Sequence, residues 1–189
     1  MIERIVTPIS SPHKSRVLVA TPRLDDPNFR RAVVLMIEHS SEGSLGLVLN
    51  RPSVLPVGDV LPSWGERLGP EAHVHIGGPV EPDALLAVAA AQPDHAGCTP
   101  INGCLALVDL GADPFSFSEQ VVDVMLFSGY AGWGPRQLDA ELAEGAWWVF
   151  DSDPLDLRAD PGDLWHDVLS RQRSAAALLA NHPDDPTWN

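Results

Sequence analysis

The feature that most constrains the fold is a pair of apolar runs at residues 32–37 and 45–49, separated by the polar segment 38–44. Branched aliphatic side chains fill both runs, and Gly43 near the end of the polar segment suits a turn between two strands. Neither run alternates apolar with polar residues, which is typical of strands covered on both faces. The pattern predicts a β-hairpin at the centre of the fold.

Polar residues gather at the ends of this hairpin. The second run leads directly into Asn50, Arg51 and Pro52. Proline cannot donate to a sheet ladder, so the strand is expected to end there and to leave Asn50 and Arg51 where they can reach a ligand. The alternative is that Arg51 is structural and pairs with a carboxylate such as Asp26. Asp26 itself lies in a dense turn signal, where its side chain is expected to accept a backbone N–H.

Two glycine-rich segments follow apolar strands further along the chain. Gly77 and Gly78 come after a brief strand at 74–76, and they suit either a tight corner or a pair of backbone amides facing an anion. The second segment, 128–138, follows a strand predicted at 120–127 and reads as a turn that carries Trp133. Gln137 is expected early in the helix that follows, with Pro135 in its first turn.

Four blocks of the chain resemble the AlgH-like (YqgE-like) family of small bacterial proteins. They are A-T-P-x-L-x-D-P-x-F, E-H-x-x-x-G-x-x-G-L-V-L-N-R-P, G-G-P-V and G-Y-A-G-W-G-x-x-Q-L, in that order, within roughly residues 16–150. The resemblance implies an α/β (α+β) single domain of complex topology, with a central, partly barrel-like sheet flanked by helices. Members of this family carry the label of transcriptional regulators, and the resemblance implies no particular reaction.

Length and composition favour one cytoplasmic domain. A chain of 189 residues with 44% hydrophobic content can bury one core. We expect one domain over 1–189, with a loose lead-in at 1–15 and a frayed tail at 182–189. No run of 18 apolar residues is present, and the N-terminus lacks the order of regions that marks a secretory signal. The two cysteines, Cys98 and Cys104, are expected to be reduced.

The formal net charge of −14 argues against direct binding to nucleic acid. An acidic surface repels phosphate backbones, whereas DNA-binding proteins present a basic face. The arginines are scattered along the sequence, and no basic recognition helix is visible. A protein partner or a small anionic ligand fits this charge better than an operator.

No catalytic or metal-binding motif is recognisable. The frames G-x-S-x-G and H-E-x-x-H are absent from the sequence. His73 and His75 share one face of a predicted strand, but no third ligand follows at a metal-binding spacing, so we expect no metal and no cofactor.

The remaining segments give coarser expectations. They are a short helix before Gly65, a strand or short helix at 84–91, a loop at 93–102, a strand at 146–150 with Trp147 and Trp148 on opposite faces, and a helix at about 162–181.

The polar strand ends and the glycine segments together predict one concave site. Its residues are Asn50, Arg51, Gly77, Gly78, Trp133 and Gln137, and it is expected to take an anionic or carbonyl-bearing group. The function that follows is a ligand-responsive or protein-binding regulatory module without direct DNA binding. The alternative is an enzyme of unknown reaction acting on a small anionic substrate.

Overall fold

The computed structural model describes residues 14–92 and 95–172 as a mixed α/β domain. Its strands are β1 Arg16–Ala20, β2 Val33–Ser40, β3 Gly43–Val48, β4 Pro52–Pro56, β5 His73–Ile76, β6 Val80–Ala90, β7 Cys98–Pro100, β8 Leu105–Val108, β9 Val122–Trp133 and β10 Trp147–Asp151. Its α-helices are α1 Val57–Val60, α2 Pro62–Leu68, α3 Gln137–Ala143 and α4 Leu164–Ser170.

The strands form one curled sheet that resembles half of a barrel. Its order is β10-β1-β2-β3-β9-β6-β8-β7, and β5 joins β9 while also pairing with β4. All pairs are antiparallel except β5 with β9. The long strand β9 therefore connects three neighbours, β3, β5 and β6, and bends the sheet around them.

The central hairpin predicted from the apolar runs is confirmed. On β2, Val33 and Leu35 pack into one apolar cluster, whereas Val34 and Met36 pack into another on the opposite face. Because successive strand residues point to opposite faces, both sides of β2 are covered by protein. The strands extend further than the apolar pattern predicted: β2 continues to Ser40, and only residues 41–42 separate it from β3. A hydrogen bond of 2.7 Å between His39 Nδ1 and Ser44 Oγ joins the strands at this end.

The turn predicted at 128–138 is wrong in its first half. Residues 128–133 continue β9, which runs as far as Trp133. Gly129 has φ +66°, and a Cβ added there would lie 2.6 Å from the Gly78 carbonyl oxygen. The glycines thus serve close strand packing rather than chain reversal. Gln137 lies at the start of helix α3, as expected, but Pro135 precedes the helix instead of occupying its first turn, and Arg136 adopts φ +61° at the helix start.

Other local expectations are confirmed or corrected by the pairing of strands. Residues 84–91 belong largely to strand β6, the predicted loop 93–102 contains the short strand β7, and a helix forms before Gly65 but continues to Leu68. Trp147 is buried in the apolar cluster that contains Val34, whereas Trp148 packs against the cluster that contains Leu35, on the other face of the sheet. The two tryptophans therefore lie on opposite faces, as predicted.

Helix α4 lies within the predicted C-terminal helix and is held at both ends. Its first turn carries Trp165, which is 2% exposed and donates through Nε1 to the Ala20 carbonyl at 2.9 Å. After its last turn, Arg171 donates to both carboxylate oxygens of buried Asp156. Residues 173–181 of the predicted helix, the 182–189 tail and most of the 1–15 lead-in fall outside the described residues. No described helix is both long enough and apolar enough to cross a membrane.

Candidate functional site

A basic concavity of the described surface lies where β3 ends and α4 begins. We call it the arginine pocket. It has a volume of about 490 Å³ and is lined by Arg30, Arg31, Asn50, Arg51, Pro52, Pro161, Gly162, Trp165 and His166. Four of these nine lining residues carry basic side chains, and none is acidic. In a chain of net charge −14, this places local positive charge where an anion can reach it.

Asn50 lines the arginine pocket, and its side-chain oxygen and nitrogen both bond to backbone groups. The residue is 6% exposed, and its Oδ1 accepts the Val33 N–H at 2.9 Å while its Nδ2 donates to the Arg31 carbonyl at 2.8 Å. Arg31 adopts φ +53°, a left-handed conformation that is costly for a residue with a Cβ. The amide of Asn50 therefore replaces strand hydrogen bonds and holds the strained 30–31 turn in place.

Arg51 is half-buried and has neutral partners. Its Nη2 donates to the Arg30 carbonyl, and its Nη1 donates to the Asn50 carbonyl at 3.3 Å. No carboxylate of the described residues forms an ion pair with it, so the alternative pairing with Asp26 is not formed. Asp26 instead accepts the Asn28 N–H at 2.8 Å, as predicted for a turn cap. Burial lowers the pKa of Arg51, which is the effect of taking a cation out of water without a counter-charge.

Arg31 and Trp165 join the two walls of the pocket. The Arg31 guanidinium carbon lies 4.5 Å from the centroid of the Trp165 ring, which is a cation–π contact. His166, the next residue on α4, is half-exposed at the pocket. The site predicted from the sequence did not include Arg30 or Arg31. Nothing local in the sequence points to Trp165 or His166.

Gly77 and Gly78 form a packing corner. Gly77 donates its N–H to the Ser128 carbonyl at 2.8 Å and accepts the Val48 N–H at 2.9 Å through its own carbonyl. Gly78 has φ +154°, and a Cβ there would lie 2.2 Å from the Tyr130 carbonyl carbon. Of the two interpretations given to these glycines, the corner fits this geometry, because the Gly77 amide is used within the sheet.

Trp133 and Gln137 converge on a carboxylate that sequence reasoning did not assign to a site. Glu141 accepts hydrogen bonds from Trp133 Nε1 at 2.9 Å, Trp147 Nε1 at 2.8 Å and Gln137 Nε2 at 3.0 Å. Gln137 also accepts the Gly134 N–H through Oε1 at 3.1 Å. The polar atoms of Trp133 and Gln137 are thus used to tie α3 to β9 and β10.

The single concave site expected from the sequence is divided between the two ends of β3. Trp133 pairs with Ser44 at the start of β3 and lines a second pocket of about 460 Å³. Asn50 and Arg51 follow the other end, six residues later, which corresponds to about 20 Å along a strand. The second pocket is lined by Glu38, Ser40, Glu42, Gly43, Ser44, Leu45, Val80, Tyr130, Gly132 and Trp133. Its charge is therefore opposite to that of the arginine pocket.

Reactive side chains elsewhere in the described residues form no metal-ligand cluster. His95 Nε2 lies 2.9 Å from Ser118 Oγ, but the Ser118 N–H also donates to the same nitrogen at 3.3 Å, so the pair pins a loop. Within 14–92 and 95–172, no three His, Cys, Asp or Glu side chains lie together as metal ligands would. Cys98 and Cys104 are free thiols, and burial raises the pKa of Cys98, which disfavours its nucleophilic form.

The partly buried ring of His75 leads us to expect that the stability of the fold depends on pH. Its ring lies 5.8 Å from the Phe127 ring, and its buried Nδ1 has no hydrogen-bond partner in the described structure. Burial lowers the pKa of His75, despite an opposing backbone hydrogen bond involving His73. The unfolded chain, where a histidine has a pKa of about 6.5, therefore binds this proton more readily than the folded one. We expect the free energy of unfolding to fall as the pH is lowered through about 6.5.

The measurement is urea unfolding at a series of pH values between about 7.5 and 5. His75→Gln should show a shallower dependence on pH than the parent. Equal slopes for the parent and His75→Gln would exclude His75 as the source.

Comparison with known proteins places the chain in a family. The family model described as AlgH-like matches residues 17–177. A UPF0301 protein of Streptomyces coelicolor is 49% identical over 181 residues, covering 92% of this chain and 94% of the relative. A crystal structure of a Corynebacterium diphtheriae protein superposes with a TM-score of 0.84 at 32% identity, over 90% of this chain and 93% of that one.

The solution structure of AlgH from Pseudomonas aeruginosa, also a UPF0301 protein, gives a TM-score of 0.67 at 29% identity, over 93% of this chain and 98% of that one. The resemblance carried by the four sequence blocks is thereby confirmed, and the chain belongs to the AlgH-like family.

Proposed function

We propose that this protein is a ligand-responsive regulatory module that binds a small anion in the arginine pocket. The observation that carries the proposal is Arg51, a half-buried guanidinium whose hydrogen-bond partners are two neutral carbonyls. A desolvated charge with no counter-ion is costly, and an anion bound in the pocket would compensate it. Arg171 offers a contrast, because it reaches a similar depth with Asp156 as its partner.

Binding rather than catalysis fits the groups that line the pocket. Among the described residues that line it, the side chains supply cationic donors and one imidazole, His166, but no serine, threonine, cysteine or carboxylate. Covalent catalysis needs a nucleophile beside a base, and general acid–base chemistry needs a second titratable group in a different environment. The enzyme of unknown reaction remains the alternative function, and no feature of the pocket favours it.

A ligand in this pocket would contact both the end of β3 and the start of α4. The 30–31 turn and Arg51 belong to the sheet side, whereas Pro161, Gly162 and His166 belong to the helix side. Occupancy would therefore stabilise the docking of α4 against the sheet. This link between a ligand and the C-terminal helix is what makes a regulatory role physically reasonable.

The test is thermal unfolding with a panel of anions, namely inorganic phosphate, citrate, succinate and a nucleoside monophosphate. An anion present at 100 times its Kd stabilises the fold by about 2.7 kcal/mol, which raises the Tm by roughly 5–10 °C for a chain of this size. Arg31→Asn should remove this shift, because asparagine tolerates a positive φ but lacks the charge. Arg136→Gln, an exposed arginine outside the pocket, should retain it. If no anion raises the parental Tm, or if Arg31→Asn responds like the parent, the proposal fails.

The same module is proposed not to bind duplex DNA. The arginines are less scattered than the sequence suggested, since Arg30, Arg31 and Arg51 meet in one pocket. A concave pocket can hold a small anion, but a duplex needs a basic face that follows its backbone, and the chain as a whole carries −14. Sub-micromolar, salt-sensitive binding to a duplex in a fluorescence anisotropy titration would contradict this part of the proposal.

A further inference from the structure

We infer that residues 173–181 continue helix α4 and cover the second pocket, which lies at the end of the β2–β3 hairpin. We call these residues the strap and that cavity the hairpin pocket. The inference does not depend on an anion in the arginine pocket. It follows from the direction of α4, from the part of the core that the described residues leave uncovered, and from the pattern of the strap sequence.

Helix α4 runs antiparallel to β1 and ends beside the start of that strand. Trp165 in its first turn donates to the carbonyl of Ala20, the last residue of β1. Arg171 after its last turn donates to the carbonyl of Asp151, which pairs with Arg16 at the start of β1. The chain that follows α4 therefore leaves at the end of the sheet where β1 begins.

The β2–β3 hairpin projects beyond that end by about the length of the strap. The Ser15 N–H donates to the Met36 carbonyl at 2.8 Å where β1 begins, and β2 continues to Ser40. Residues 36–40 span about 13 Å, at about 3.3 Å per strand residue. Residues 173–181 would lengthen a helix by about 14 Å, at about 1.5 Å per residue. A continued α4 therefore reaches the tip of the hairpin.

The hairpin pocket is the uncovered continuation of the core that holds α4. Leu45 and Tyr130 line it, and both are only partly buried although they pack against the apolar cluster that contains Val168 of α4. Gly132 keeps the pocket open, because a Cβ there would lie 3.3 Å from Val80 Cγ2 and 3.4 Å from the Tyr130 ring. The cover that this surface lacks is an apolar side chain.

The sequence of the strap continues the buried face of α4. The side chains that form this face are those of Leu164, Trp165, Val168 and Leu169. At about 100° per residue, the same face returns at positions 175, 176 and 179. Ala175 and Ala176 are small enough for close approach to the sheet, and Leu179 lies at the middle of the face. Leu178, in contrast, lies about 110° away from the middle of the face.

Both the helix propensity and the charge of the strap suit this position. Arg171 has helical φ and ψ of −73° and −9°, and neither glycine nor proline follows it before Pro183. Alanine and leucine, which dominate the strap, are strong helix formers. Arg173 is the one charged residue of the strap, whereas Glu38 and Glu42 are the charged residues among those that line the hairpin pocket. The two surfaces are therefore complementary in charge.

The strap gives the hairpin pocket an occupant from the same chain. A groove with an apolar floor and an acidic rim is the kind of surface that receives one face of an amphipathic helix. While the strap fills it, the groove is closed to helices of other proteins. The contact is autoinhibitory in this sense, and it is released when the strap leaves the sheet.

Hydrogen exchange of the full chain tests whether the strap is docked. Most helical stability in proteins comes from the packing of an amphipathic face, so an undocked extension of α4 would exchange rapidly. We expect amides of residues 173–181 to be protected at least about 100-fold in the parent. Leu179→Asp should abolish this protection, whereas Leu178→Asp, a substitution of the adjacent leucine off the buried face, should retain it.

Disulfide formation tests where the strap lies. In a background of Cys98→Ser and Cys104→Ser, Leu179→Cys is combined with Leu45→Cys and oxidised in a glutathione buffer. This pair should cross-link at least about fivefold faster than Leu178→Cys combined with Leu45→Cys. The two pairs have nearly the same tether length, so a difference in rate reports the orientation of a docked helix.

The contrary outcomes are equally specific. Rapid exchange of residues 173–181 in the parent, or equal effects of Leu178→Asp and Leu179→Asp, would overturn the inference. Equal cross-linking rates of the two pairs would do the same. Faster cross-linking of Ile5→Cys with Leu45→Cys would identify the N-terminal segment as the occupant instead. Both experiments are made without an added anion, so their failure leaves the proposed function standing. Circular dichroism and the Tm of each variant establish that it is folded.

Discussion

Gly78→Ala is expected to prevent the protein from reaching its native fold. A Cβ at this position would lie 2.2 Å from the Tyr130 carbonyl carbon and 2.3 Å from the Ala131 nitrogen. Both atoms belong to the backbone of β9, so no side chain can rotate to make room. Because β9 holds β3, β5 and β6 together, a shift there disturbs the centre of the sheet. We expect a loss of more than about 4 kcal/mol in the free energy of unfolding.

The measurement is the soluble yield followed by urea unfolding of any folded fraction. Gly103→Ala is the matched control, since a Cβ at Gly103 meets nothing within 4 Å. It should change the free energy of unfolding by no more than about 0.5 kcal/mol. A Gly78→Ala protein that unfolds within about 1 kcal/mol of the parent would show that the corner can open.

Glu141→Ala is expected to destabilise the protein by about 2–4 kcal/mol. The substitution removes the acceptor of two indole N–H groups, those of Trp133 and Trp147, and both residues are more than nine-tenths buried. Each buried donor left without a partner costs about 1–3 kcal/mol. The rings themselves cannot easily turn outward, because Phe29 packs against both of them at 6.2 and 5.7 Å.

Urea unfolding followed by tryptophan fluorescence measures this loss. Glu141→Gln keeps one acceptor oxygen and should cost less than the alanine variant. Glu144→Ala, an exposed glutamate near the end of the same helix, should be within about 0.5 kcal/mol of the parent. If Glu141→Ala were as stable as Glu144→Ala, the two indoles would have to find other acceptors.

The central hairpin was predictable because its signal is local and strong. An unbroken apolar run has apolar side chains on both faces of its strand, so both faces must be covered by protein. The structure accordingly buries Val34 and Leu35 on opposite faces of β2. The family was predictable for a related reason. The blocks that carry the resemblance contain glycines, prolines and the N-R-P segment after β3, at positions where the backbone permits few other residues. Local chemistry of this kind can be read without knowing which strands are neighbours.

The glycine segment 128–133 shows where local reading fails. Glycine is common in turns, and nothing near Gly129 and Gly132 in sequence indicates that they lie inside a strand. Their role is set by Gly78 and Val80, which approach them from another part of the chain. A glycine that is required by close contact with a distant segment produces no periodic pattern in the sequence around it.

The sequence by itself determined that Asn50 and Arg51 stand at a strand end, that Gly77 and Gly78 make a corner or an amide pair, and that Trp133 and Gln137 lie near each other. Only the tertiary structure decided that Trp133 and Arg51 lie at opposite ends of β3, and that residues 30–31, 50–52 and 161–166 meet in one basic pocket. The physical reason is that sequence patterns report local backbone preference and burial, whereas a pocket depends on strand register and helix docking between segments more than 100 residues apart.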